Sequence, residues 1–379
     1  MGSKSKIMDF VLEGISEVYD GGVILDLFAG SASLAGAIGQ QCPVHSNDIQ
    51  TYSAVLSETY SMAYRSKFTP SVASILDEAA AIVAANSREL GFTIDYSDIS
   101  SIEAFNDAET IQKGLIDQNF KWEWHLFLRY YSGTWWSYEQ CLWIDALRQV
   151  AEGYRGTPNY SVILSCLMFA MAYTSQGTGH YAQYRDAKTE SSFKDILIYR
   201  RRSVASYFKR KYAEVVEWLP ESKPSLPHAQ TSMDFAECLD AFGGGTVYAD
   251  PPYCFVHYSR FYHAIETLVL YDYPELQVKG GKIVKGRYRD NRHQSPFSIN
   301  SQVRAAFKTM FEGVQKTGSN LAMSYSNTGM ITLDELEEIA AQVFKGRSLE
   351  LLFTDHQHMT MGRQKDRHRN VQECLVLVR

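Results

Sequence analysis

Apolar residues recur at helical spacing in the opening stretch Ile7-Met8-Asp9-Phe10-Val11-Leu12-Glu13-Gly14-Ile15, which predicts an amphipathic helix. After a turn at Gly21-Gly22 the pattern becomes a continuous run, Val23-Ile24-Leu25-Asp26-Leu27-Phe28. A short apolar run with one acid fits a strand covered on both faces, as in a parallel sheet. The small-residue loop Ala29-Gly30-Ser31-Ala32-Ser33 follows, a helix begins over Leu34 to Ile38, and Val44-His45-Ser46-Asn47-Asp48 predicts a second short strand. Strand, tight loop, helix and strand in that order open a doubly wound α/β fold.

From about residue 60 the pattern changes. Residues 71–123 hold ten acids and three basic residues without βα alternation, whereas 137–153 and 161–173 predict helices. Residues 199–212 carry six Lys or Arg and no acid, and Pro220, Pro224 and Pro227 then punctuate a linker. The βα pattern returns with Thr246 to Asp250, Asn320 to Tyr325, Leu349 to Thr354 and Glu373 to Val378. One sheet is therefore expected from 1–65 and 226–379, interrupted by a largely helical insertion over 66–225. A connection inside such a unit needs only about 2–6 residues, so the insertion has work of its own.

Composition narrows the classes. The chain has 379 residues, 45% hydrophobic and 21% charged, as expected of a packed globular protein rather than a disordered one. Its 37 Lys plus Arg against 43 Asp plus Glu give a net charge of −6, which excludes nucleic-acid binding by bulk charge but leaves local basic patches. Three such patches are 199–212, 279–292 and 363–369. None of the six cysteines forms a C-x-x-C pair, so neither a zinc knuckle nor a disulfide framework is expected. His257 and His263 lack ligand partners at metal spacing, and no metal is expected. Trp135-Trp136 fits the core better than a wedge between bases. No apolar run reaches 18 residues and Asp9 interrupts any leader-like segment, so the expected setting is cytoplasmic, without a membrane.

The chemistry concentrates in two places. Asp250-Pro251-Pro252-Tyr253 directly follows a strand, where open α/β sheets bind ligands. The prolines fix φ and remove two N–H donors, leaving carbonyls free to accept. A carboxylate, an exposed carbonyl and a flat ring together suit an amino group on a planar ring, although D-P-P also makes an ordinary strand-ending turn. The second place is Asp26-x-Phe28-x-Gly30 with Asp48 further on. Glycine after a strand admits a ligand to the backbone, and an acid about 20 residues on can hold ribose hydroxyls. The G-x-G-x-x-G fingerprint is absent, which favours a nucleoside without pyrophosphate over a dinucleotide.

Taken together, these motifs resemble the Dam-like adenine-N6 DNA methyltransferases that carry D-P-P-Y. Gly2-Ser3-Lys4 with Ile7 to Val11 resembles the family's N-terminal box, Asp26 to Ser31 its D-x-F-x-G-[ST]-G motif, Asn47-Asp48 its ribose-binding acid, and Asp234-Phe235 its adenine-binding position. Tyr258-Ser259 with Tyr262-His263-x-x-Glu266-Thr267, Ser324-Tyr325-Ser326-Asn327 and Glu373 to Val376 resemble later family motifs. Ala32 departs from the family, whose motif has a second glycine there. The resemblance implies a Rossmann-like class I S-adenosylmethionine-dependent methyltransferase sheet with an inserted target-recognition domain. It implies a cofactor site of Lys4, Asp26, Phe28, Ala29, Gly30, Asp48, Ile49, Asp234 and Phe235. It implies that Asp250, Pro251, Pro252 and Tyr253 act on an adenine flipped out of duplex DNA.

DNA contacts are expected from Arg200, Arg201, Arg202, Lys209, Arg210, Lys211, Tyr258, Lys285 and Arg287. The expected role is site-specific methylation in restriction–modification or defence against phage, with room for a protein partner of such a system. An RNA or N4-cytosine methyltransferase, and a non-catalytic S-adenosylmethionine-binding subunit of a larger complex, remain as alternatives.

Overall fold

The computed structural model describes residues 7–177, 180–253, 255–359 and 368–379, with the side chains of 355–359 and 368–371 outside that description. Lys4 and the basic side chains of 363–369 lie outside the described residues. The chain divides into two compact units, one of 1–62, 224–259 and 293–379 and the other of 63–223 and 260–292. Residues 260–292, expected with the sheet, cluster instead with the helical unit, because the helix His263–Leu270 packs there: Arg148 donates to the carbonyls of Leu268 and Val269.

The first unit is built on a seven-stranded sheet: β1 (Ile24–Asp26), β2 (Val44–Asn47), β3 (Ala229–Thr231), β4 (Thr246–Ala249), β5 (Asn320–Ser326), β6 (Leu349–Met359) and β7 (His368–Val378). Their order is 3-2-1-4-5-7-6, and every pair is parallel except those made by β7. β1 is central: Ile24 lies opposite both Val44 and Thr246, and Asp26 opposite Ser46 and Tyr248. Both β1 and β4 are buried along their whole length, which is why they appear in the sequence as apolar runs without alternation. Strand β3 gives no such signal. It is a three-residue edge strand, Ala-Gln-Thr, half-exposed, and sequence patterning passes over it. Gly245 makes the turn into β4 at φ +136°, where an added Cβ would lie 2.5 Å from the Val23 carbonyl oxygen.

Helices cover the sheet by apolar stripes. In Val303–Lys316 the residues Val303, Ala306, Phe307, Met310, Phe311 and Val314 recur at i, i+3, i+4 spacing and are all buried in the core with Leu25, Val247 and Leu321. Each fully buried side chain of this size is worth roughly 1.5–3 kcal/mol, so Phe307→Asp would undock the helix.

The second unit is helical. Helices Val72–Leu90, Ile102–Lys113, Tyr138–Glu152, Pro158–Thr174, Glu190–Arg200 and Val204–Trp218 supply most of it. Ser71, Ser101 and Ser203 cap three of them, and Ser137 with Gln140 forms a capping box on Tyr138–Glu152. Trp135 and Trp136 are fully buried, as expected. A short hairpin, Val278–Lys279 with Lys282–Ile283, turns through Gly280 and Gly281. Among the described residues no helix is long and apolar enough to cross a membrane.

Candidate active site

In an open α/β sheet, ligands bind beyond the carboxyl ends of the strands where strand order reverses. Here that point lies between β1 and β4. Parallel pairing in register delivers Asp26, Asp48 and Asp250 to the same edge, at the ends of β1, β2 and β4 respectively. Asp26 is buried, and its carboxyl is raised well above the usual carboxylate range, first by burial, then by the negative charges of Asp250 and Asp48. The Phe28 N–H opposes this by donating to it. Among the described residues, Asp26 Oδ1 is buried with no hydrogen-bond partner.

The loop after β1 is fixed by backbone bonds. Leu27 N–H donates to Tyr248 O at 2.9 Å and Ala29 N–H to Asn47 O at 2.8 Å. Gly30 adopts φ +52° and its N–H donates to Asp48 Oδ2 at 2.9 Å, while Gln50 N–H donates to Asp48 Oδ1 at 2.9 Å. Asp48 therefore shapes the loop before it meets any ligand. Two carboxylate oxygens offer about four lone-pair sites. An added Cβ at Gly30 would meet only Phe28 O, at 3.8 Å, so the backbone there is open to approach. Ala32, where the family motif has glycine, is left-handed at φ +56° and fully buried.

Asn47 did not stand out in the sequence as a site residue, yet it joins three segments. Its Nδ2 donates to the carbonyls of Leu27 and Met233, and its Oδ1 accepts from Thr231 Oγ1 and the Met233 N–H. Its place beside Asp48 at a strand end was the available signal. Asp234 caps the helix Phe235–Ala241 by accepting the Ala236 N–H at 2.9 Å. Phe28, Phe235 and Phe297 form a ring cluster, Phe297 standing 5.4 and 5.0 Å from the other two. No spacing rule links Phe297 to the other two, and sequence reasoning missed it. Ile49 is exposed and Ala29 buried.

Pro251 is buried, and Tyr253 is half-buried with its ring edge-on to Tyr325 at 6.0 Å. Tyr325 is itself fixed, donating to Ile331 O and accepting the Ile331 N–H. Behind the site Tyr248 shares a 2.9 Å hydrogen bond with Ser324, and burial, then Asp250, pushes its phenol up. The expected Asp26, Phe28, Gly30, Asp48, Asp234, Phe235 and Asp250 to Tyr253 thus all belong to the sheet-bearing unit. So does exposed Tyr258. Among the described residues no group of His, Cys, Asp or Glu could hold a metal ion.

The cations expected on DNA, apart from that unit, fare unevenly. Arg200 is a correction. Its guanidinium is buried, donating to both oxygens of Glu109 and to the carbonyls of Trp135 and Thr134. Arg287 is a second, for it is buried and donates to Tyr130 O. The physical reason is the same in both: a distant segment supplies the partner, which a local charge run cannot reveal. Arg201 donates to Tyr96 O, and Lys285 pairs with Asp186 at 2.6 Å. Arg202 lies over Tyr199 at 4.3 Å and Arg210 over Tyr207 at 5.0 Å, Lys209 is exposed, and Lys211 pairs with Glu214.

Residues 1–113 match the D12 class N6 adenine-specific DNA methyltransferases. Modification methylase LlaI of Lactococcus lactis subsp. lactis is 25% identical over 353 residues, covering 90% of this chain and 48% of its own. Type II methyltransferase M.FokI of Planomicrobium okeanokoites is 31% identical over 106 residues, covering 28% of this chain and 15% of its own. The chain thus spans about half the length of the first relative and far less of the second.

Proposed function

We propose that this chain, whose residues 1–113 match the D12 class N6 adenine-specific DNA methyltransferases, methylates the N6 amino group of an adenine flipped out of duplex DNA. The carrying observation is the convergence of Asp26, Asp48 and Asp250 at the carboxyl ends of three adjacent parallel strands. The strand order, with one antiparallel strand near an edge, fits a Rossmann-like class I methyltransferase sheet. The cofactor is S-adenosylmethionine, which supplies an electrophilic methyl group. The residues present suit it: three acids complement its positive charge and hydroxyl donors, Asp26 Oδ1 lacks a partner, and Gly30 leaves the backbone open.

Asp48 accepts ribose hydroxyls through its remaining lone pairs, Asp234 and Phe235 with Phe28 and Ile49 line the adenine, and Ala29 and Gly30 border the methionine part. Tyr253 stacks on the target base. The Asp250 carboxylate and the Pro251 carbonyl accept the two N–H bonds of its amino group, which localises the nitrogen lone pair toward the methyl. The amine then loses one proton through Asp250 Oδ to solvent. Position and charge complementarity, rather than a strong base, supply the rate. The second unit is the target-recognition domain, with Arg201, Arg202, Lys209, Arg210, Lys211 and Lys285 serving phosphates. The reading places the protein in restriction–modification, in the cytoplasm.

The experiment is methylation-aware sequencing of DNA from cells expressing the protein, beside the Asp250→Asn variant. N6-methyladenine at one motif with the wild type and none with the variant supports the reading. Methylcytosine, or methylation of RNA alone, would overturn it.

A further inference from the structure

Most buried or half-buried arginines of the helical unit have a carboxylate or a set of carbonyls. Arg200 has Glu109, Arg148 has Glu152 and two carbonyls, and Arg289 has Asp272. Buried Arg287 has a single carbonyl, that of Tyr130, and among the described residues Arg260 and Arg292 have neither a carboxylate nor a carbonyl. Both guanidiniums face one ring, that of Tyr288, at 5.3 and 5.7 Å from its centroid. Arg260 Nε donates to the Tyr288 hydroxyl, which in turn donates to Ala182 O. Among the described residues no carboxylate forms an ion pair with either arginine, and Arg292 Nε and Nη1 are buried with no partner.

Two nearby histidines respond to the same charges. His180, stacked on Phe261 at 4.3 Å, is pushed below its usual value by burial and then by Arg260. Buried His263 is discouraged from charging by burial and, after it, by Arg289 and Arg292. Burial and the nearness of Arg260 lower Arg292 itself. Two like charges brought together, partly desolvated and without a counter-ion, are costly unless something anionic completes them. Planar guanidiniums pair bidentately with phosphate as they do with carboxylate oxygens, and no carboxylate of the described residues fills this place.

We propose that Arg260 and Arg292, held against Tyr288, form a phosphate-binding site, and that its ligand is a phosphodiester of the DNA strand. The phosphate chemistry stands on the two arginines alone; the assignment to DNA rests on the methyltransferase reading. Arg260 lies in the stretch Tyr258-Ser259-Arg260-Phe261-Tyr262 a few residues beyond Asp250-Pro251-Pro252-Tyr253. A phosphate held there would fix the strand rather than read its sequence.

Two arms test it, both on the full chain. In the first, binding of a duplex oligonucleotide is followed by fluorescence anisotropy across salt concentrations for the wild type, Arg260→Met and Arg292→Gln. Loss of one phosphate contact should lower the log–log salt slope by about 0.9, roughly fivefold in affinity near 0.15 M salt, without changing the methylated motif. In the second, arginine Nε–H signals of the unmodified protein are followed by NMR during titration with inorganic phosphate, which needs no variant to fold. Two arginine signals should move in the wild type, and they should be the ones absent from the variants.

An unchanged salt slope together with unmoved signals would overturn the site. An unchanged slope with signals that do move would overturn the DNA assignment and leave a site for free phosphate. If the wild type neither binds nor methylates any duplex, the methyltransferase reading has failed, and the phosphate titration still decides the site.

Discussion

Removing the Arg200 guanidinium tests the reading of this residue as a structural counter-ion. Its Nε and Nη2 donate to Glu109, Nη1 to Trp135 O at 2.9 Å and Nη2 to Thr134 O at 2.6 Å, with the side chain fully buried. In Arg200→Met the two carbonyls keep partners, since Gln176 Nε2 donates to Thr134 O and Gln176 N–H to Trp135 O. The loss therefore falls on Glu109, which among the described residues retains the Tyr96 hydroxyl as its side-chain partner. An uncompensated buried charge of this kind costs about 3–5 kcal/mol. All six tryptophans lie within 63–223, so tryptophan fluorescence reports this unit alone. At a urea m-value of roughly 2–3 kcal/mol per molar, the midpoint should fall by about 1–2 M. Arg200→Met with Glu109→Leu should recover most of it, because an apolar pair of similar volume is often neutral or better. A single variant that keeps the wild-type midpoint but loses about one unit of DNA salt slope would refute the argument and restore Arg200 as a phosphate contact.

Other outcomes follow from the same contacts. Asp48→Ala should weaken S-adenosylmethionine binding by about 1.5–3 kcal/mol, the scale of hydrogen bonds to a charged group, and also loosen the Gly30 loop; calorimetry with unchanged affinity would remove Asp48 from the site. Ala32→Gly should leave the thermal midpoint within a few degrees of wild type. Relief of a left-handed φ, worth about 1–2 kcal/mol, is offset by the greater freedom of glycine in the unfolded chain. Burial, chiefly, lowers His263 to about 3, and in the neutral ring Nε2–H donates to Tyr181 O while Nδ1 accepts from Tyr131. Between its usual value and about 3 the unfolded chain binds the proton and the folded one does not. His263 therefore costs the helical unit up to about 1.4 kcal/mol per pH unit as pH falls through that window. His263→Gln should flatten that slope in tryptophan-monitored urea titrations, and an identical slope would show that the ring is charged when folded.

What could be seen in the sequence divides along physical lines. The central strands were visible because burial on both faces leaves an apolar run, and Asp250-Pro251-Pro252-Tyr253 was visible because its chemistry is contiguous. Helices Tyr138–Glu152 and Pro158–Thr174 emerged within a few residues of the expected spans. Strand β3 escaped because an edge strand of three polar or small residues has no pattern. Residues 260–292 carry no local pattern that separates them from the sheet, whereas the packing of Leu268 and Val269 on Arg148 puts them with the helical unit. The cation run was the least informative signal. It gave the charge of Arg200 correctly and said nothing of Glu109, whose partnership depends on tertiary packing.

The adjacency of β1 and β4 has a consequence for how the protein is made. Leu27 N–H needs Tyr248 O, and Asp250 is brought beside Asp26 only by the same pairing. A ribosome adding roughly 5–20 residues per second takes on the order of ten to forty seconds to travel from Asp26 to Thr246. Throughout that interval β1 and β2 exist without the strand that covers one flank, and buried residues such as Leu25 and Leu27 lack their partners. The nascent chain therefore carries an open, apolar strand edge while the helical segments are being synthesised, which makes early truncation products the species most prone to aggregate or to recruit chaperones.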